Sequence, residues 1–210
     1  MDFVPIPAGT HELGWRFTAD LPSNVTESLS GFLSQDDLVG KMSIHRRVAL
    51  PGFDIAVEAV SLADIVGDPY ELDEEVSTIA GLCDLIDARL HDMGWRLPTE
   101  DEFEAACGGS LFPWGMKVPD GIPYEAETTF EAHRGPNAFG LVLNADPYQV
   151  EVVRHALKMG DGGCSICGGD PWPMAWLSLS PRFRLLDDDV ADCFTEILEE
   201  AWLRPVRLHP

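Results

Sequence analysis

Apolar residues return at helical spacing along the middle of this chain. Ile79, Leu82, Ile86 and Leu90 share one face of a helix spanning roughly residues 76–91, and Gly94 ends that region. A second helix opens at Thr99. Threonine is a good N-cap, and Glu102 stands three residues on, where its side chain reaches back to the Thr99 backbone N–H. Glu100 and Asp101 place negative charge in the first turn, Phe103 and Ala106 share the buried face, and Pro98 stiffens the entry. Elsewhere the pattern is strand-like. Residues 3–14 predict a first strand, and Val48–Leu50 and Phe53–Val57 predict two more, divided by Pro51-Gly52. Ser61 predicts the cap of a short helix through Leu62, Ile65 and Val66. Residues 18–36 predict an irregular excursion, 67–75 an acidic link and 111–147 a loop-rich stretch. Phe194, Ile197, Leu198, Ala201 and Trp202 predict a helical approach to a final strand.

Size and charge narrow the classes. The chain has 210 residues, enough for one substantial core, and one domain over residues 1–210 is the economical expectation. It is 45% hydrophobic, unlike a disordered acidic chain, and has no apolar run of membrane-spanning length. The opening Met1–Gly9 carries neither a basic segment nor a signal-type apolar core, so a cytoplasmic protein without membrane attachment is expected. The 36 acidic residues outnumber the 14 lysines and arginines, for a net charge of −22. Nucleic acid would meet a repulsive mean field. A basic protein partner suits the charge; solubility or adaptation to high salt explains it equally well.

The sequence phrases also resemble a known family. Trp95-Arg96-Leu97-Pro98-Thr99-Glu100-Asp101-Glu102-Phe103-Glu104-Ala105-Ala106, followed by Phe112-Pro113-Trp114-Gly115, is similar to the helix signature of the formylglycine-generating enzyme and sulfatase-modifying factor family. Phe3–Gly9 resembles its opening phrase, Pro136–Leu141 its Pro-Asn-aromatic-Gly-Leu phrase, and Trp202–Arg207 its closing strand. The pieces occur in family order along nearly the whole chain; residues 15–60 carry the weakest likeness. The resemblance implies an α+β, C-type-lectin-like fold, and with it calcium in a loop region and a copper site made of two nearby cysteines.

The chemistry departs from that pattern. Aligned from Gly168-Gly169, the family's cysteine positions fall near Pro173 and Ser178, and neither residue supplies a thiolate. Cys107 stands where the family helix carries arginine, and Asn144–Glu151 replaces its Gly-Asn-Val-Trp-Glu-Trp phrase. Two cysteines lie just upstream instead. The Cys164-x-x-Cys167 spacing suits a disulfide or two thiolates on one soft metal ion, copper or zinc, with Cys107, Cys193 or His155 as completing ligands. Unligated thiols are the competing assignment. Five cysteines cannot all pair within the chain, and Cys83, in a helical context, reads as a small buried hydrophobe. Asp187-Asp188-Asp189 suggests calcium by residue type but lacks the spacing of a known calcium loop, so a solvated turn is expected. The expectation is therefore a non-catalytic binding protein, with Trp172, Trp176, Arg182 and Arg184 as candidate partner-binding residues and core packing the competing role for the tryptophans. The alternative is a metal- or thiol-dependent oxidoreductase using Cys164 and Cys167.

Overall fold

The computed structural model describes residues 1–16, 23–30, 40–68, 72, 76–119, 121, 134–143, 146, 148–160 and 172–208. Helices and strands are mixed along the chain, as an α+β protein requires. The expected first strand is two strands, β1 (Phe3–Ile6) and β2 (Gly9–Leu13), because Pro7 interrupts the ladder between them. Part of the expected irregular excursion is a helix, α1 (Ser23–Ser30). The strands β3 (Arg46–Leu50) and β4 (Phe53–Ala56) flank Pro51-Gly52, and β5 (Val60–Ser61) leads into α2 (Leu62–Val66). Ser61 Oγ caps that helix by accepting the Asp64 N–H at 3.2 Å.

The helix α3 (Ile79–His91) starts later than the apolar spacing suggests, because Thr78 caps it through the Gly81 N–H. After the two-residue β6 (Trp95–Arg96), α4 (Glu100–Ala106) begins with a complete capping box. Thr99 Oγ1 accepts the Glu102 N–H at 3.2 Å, and Glu102 accepts the Thr99 N–H at 2.8 Å. The remaining elements are β7 (Val150–Val153), β8 (Ala156–Lys158), α5 (Trp172–Leu177), β9 (Arg184–Leu185), α6 (Asp187–Val190), α7 (Phe194–Glu199), β10 (Ala201–Leu203) and β11 (Val206–Arg207).

A five-stranded sheet runs β5-β10-β7-β8-β9, a four-stranded sheet runs β1-β4-β11-β6, and β2 pairs with β3. Register gives the larger sheet two unlike faces. Val60, Leu203, Val152, Leu157 and Leu185 lie opposite one another across successive strands. They join the Ile79, Leu82, Ile86 and Leu90 face of α3 in the larger core. The adjoining register row is Ser61, Trp202, Glu151, Lys158 and Arg184. Strand alternation turns this row to the other face, where Val153 and Ala156 pack with Phe103, Ala106 and Cys107 around α4 and with Ile6, Phe53, Ile55 and Val206 of the smaller sheet. The polar row is thus sandwiched, and each charge in it needs a partner. None of the described helices is long and apolar enough to cross a membrane.

Candidate functional site

The buried row supplies its own counter-charges. Within it Lys158 is fully buried, and its Nζ donates to Glu100 Oε1 at 2.7 Å and to Glu104 Oε1 at 3.1 Å. Glu104 is 2% exposed and also accepts the Gly14 N–H at 2.8 Å. Only glycine fits at position 14: φ is +77°, and a Cβ would stand 2.2 Å from the Ile44 carbonyl oxygen. Arg46 reaches the cluster from β3, with Nε 2.6 Å from Asp101 Oδ1 and Nη2 3.5 Å from Glu104. Arg184 Nε lies 3.3 Å from Glu100 Oε1. Burial by itself raises the pKa of Glu100. The charge and hydrogen bond of Lys158, with Arg184 and Arg46 behind them, outweigh it and hold the carboxyl below its ordinary value. Burial alone lowers Arg46, and the surrounding carboxylates reverse that effect and raise it.

Toward β10 the row continues with a second buried pair, Arg204 and Glu151, each 1% exposed. All five guanidinium N–H groups are engaged. Nε and Nη2 donate to the two Glu151 oxygens at 3.2 and 3.0 Å, Nη1 to the carbonyls of Ala56 and Val57, and Nη2 also to Val142 O at 2.8 Å. Arg204 is therefore a clamp among three chain segments, with no donor left for a ligand.

The row opens to solvent at both ends. At one end Glu100, Arg154, His155 and Arg184 line a concavity of about 300 Å³. His155 sits exposed in the β7–β8 turn with φ 68°, and Arg154 is tied to Asp87 at 2.6 Å. At the other end Trp202, Val142 and Leu143 line a concavity of about 380 Å³ floored by Glu151 and Arg204.

The residues singled out in the sequence scatter over this frame. Trp176 is fully buried, with Nε1 donating to Gly121 O at 2.7 Å and its ring edge-on to Trp114 at 5.8 Å, so it contributes core and no exposed surface. Arg182 is 7% exposed, and its Nη2 donates to Gly109 O, fastening the loop after α4. Arg184 lines a concavity, as part of the charged cluster. Cys164 and Cys167 lie outside the described residues, as does the side chain of Trp172.

The two residues compared above with a thiolate pair, Pro173 and Ser178, are both enclosed. Pro173 is buried, and the buried Ser178 spends its hydroxyl on Ala175 O at 2.8 Å. Cys107 is enclosed in the second core, where burial, and next the negative charge of Glu151, push its thiol well above the ordinary value. Cys83 is buried, with Sγ donating to Val153 O at 3.3 Å. Among the described residues, no group of three or more His, Cys, Asp and Glu side chains is placed to hold a metal ion. The acidic run at 187–189 forms the short helix α6 and serves as caps: Asp187 Oδ1 accepts the Ile79 N–H at 2.8 Å, and Asp189 Oδ2 accepts the Leu186 N–H at 2.9 Å.

Lys158, Glu151, Arg204 and Arg46 carry this site, and sequence patterning does not single them out. Their signal is slight: charged residues alternating with Val150, Val152 and Leu157 read as the solvated side of a strand. Comparison with known protein families finds no match to this chain, and no curated protein matches it.

Proposed function

We propose that this protein is a non-catalytic binding protein, built on a scaffold like that of the formylglycine-generating enzyme family and used to hold a protein partner through its surface grooves. The observation that carries the reading is the pair Pro173 and Ser178. A proline and a buried, hydrogen-bonded serine stand near the positions where the resembling enzymes need two thiolates. The fold likeness rests on phrases that also have structural work. The Thr99 capping box orients α4, and Asn137, from the Pro-Asn-aromatic-Gly-Leu phrase, donates to Ala106 O at 2.8 Å and accepts from Leu141 N at 3.0 Å. Fold alone carries no reaction. The net charge of −22 favours a basic partner.

The test is turnover. Reduced protein is incubated with copper, oxygen and a cysteine-containing sulfatase peptide, and the peptide is examined for an aldehyde by mass spectrometry. No aldehyde is the expected result. Copper-dependent aldehyde formation that is lost in Cys164→Ser and in Cys167→Ser would establish the oxidoreductase alternative and overturn the binding reading.

A further inference from the structure

We infer that the groove at the Trp202 end of the charged row docks an extended, basic segment of a partner protein, with a lysine or arginine stem laid along Trp202 and its charge directed to Glu58 and Asp146. This rests on the binding-protein reading above and names the surface and the partner's chemistry. The concavity of about 380 Å³ at Trp202 adjoins one of about 480 Å³ beside Met1, Asp2 and Val60, with Glu58 and Ala59 lining both. Its apolar wall includes Trp202 and Val142, the latter 42% exposed. The exposed side-chain charges lining the two, Asp2, Glu58 and Asp146 among the described residues, are all acidic, and the one cation beside them is the α-ammonium group of Met1.

The cation in the lining, Arg204, is 1% exposed, neutralised by Glu151 and has every donor in use. Arg204 offers an anionic ligand no donor, and such a ligand would face three carboxylates against the single ammonium of Met1. A purely apolar ligand would leave the acidic rim unused. A long aliphatic stem ending in a positive charge satisfies both halves, since lysine and arginine lay their methylenes on apolar surface, stack on indole and keep the charge at a wet rim. The concavity at the opposite end of the row has side chains of both signs, with Arg154 and Arg184 among Glu100 and Asp101.

The experiment is a fluorescence-anisotropy titration with a short labelled peptide alternating lysine and leucine. A lysine–serine peptide of equal charge and a glutamate–leucine peptide serve as comparisons. Saturable one-to-one binding of the lysine–leucine peptide is expected, about tenfold tighter than lysine–serine, with none by glutamate–leucine. Glu58→Lys should weaken binding about tenfold. Asp188→Lys makes the same change in net charge beside His155, at the other end of the sheet, and should weaken it no more than about twofold. Thermal melts matching the parent protein verify that both variants are folded. Equal losses in the two variants, equal binding of the lysine–serine peptide, or preference for the glutamate peptide overturns the groove and leaves the non-catalytic reading standing. So does the absence of saturable binding. Aldehyde formation in the turnover assay would instead remove the reading on which the groove depends.

Discussion

Replacing Lys158 by methionine removes the fully buried cation of the row while keeping most of the side-chain volume. Two short charge-assisted bonds disappear, to Glu100 at 2.7 Å and to Glu104 at 3.1 Å. Glu100 is 23% exposed at its side chain and can recover water, but Glu104 is 2% exposed and cannot. Removing one partner of a buried pair costs about 3–5 kcal/mol, most of it the stranded charge. Glu104 keeps the Gly14 N–H at 2.8 Å and Arg46 at 3.5 Å, which places the expected loss near the lower bound, about 3 kcal/mol. Urea unfolding followed by tryptophan fluorescence measures this, provided the m-value stays constant. The decisive comparison adds Glu104→Gln, which removes the stranded charge and leaves an oxygen for Gly14. If the cost is a buried unpaired carboxylate, the double variant is more stable than the sum of the single losses allows, by about 1–3 kcal/mol. A loss below about 1 kcal/mol for Lys158→Met, or strict additivity, would refute the account of the row as mutually dependent charges.

Two further predictions concern α4. Thr99→Ala removes the acceptor for the Glu102 N–H and should cost about 0.5–2 kcal/mol in the same unfolding experiment, with no change taken as evidence against the cap. Glu100 and Glu102 also set an acid limb. Burial raises both pKa values, but Lys158 in one case and the Arg96 hydrogen bond in the other outweigh it, so both carboxyls titrate below 4.5 in the folded chain. The unfolded chain then binds more protons through that window. Their contribution is full above about 4.5 and is lost as pH falls through the lower folded values. Glu102→Gln should flatten the fall of the urea midpoint with acid; an unchanged slope would count against Glu102 as a source of it.

Local structure was legible where one residue type carries a backbone duty. Thr99 with Glu102, Ser61 before Leu62, and Pro51-Gly52 between β3 and β4 each announce a cap or a turn, and the helical face from Ile79 to Leu90 announces its own burial. The charged row was not legible, because its logic is long-range. Lys158 meets Glu104 across 54 positions, Arg204 meets Val57 across 147, and strand alternation assigns polar positions to solvent unless something covers them. Glu104 misleads for the same reason: in a helix's first turns it reads as a surface charge, and only β8 beneath it makes it a buried counter-ion. Aromatics mislead in the opposite sense. Trp176 resembles a contact residue by type, yet Trp114 and the surrounding core enclose it.

The placement of β10 and β11 has a consequence for how the chain reaches this state. β10 is inserted between β5 and β7, and β11 between β4 and β6, so residues 201–207 fill an interior position in both large sheets. Until that segment has left the ribosome, β5 and β7 lack their shared neighbour, as do β4 and β6, and Glu151 awaits Arg204. Synthesis at about 5–20 residues per second therefore leaves the earlier strands with open edges for seconds before either sheet can close. Long-range closure of this kind is slow and leaves unpaired backbone exposed meanwhile. A nascent chain arrested before Ala201 should be held by chaperones and cut by proteases as an incomplete fold, whatever the stability of the finished one.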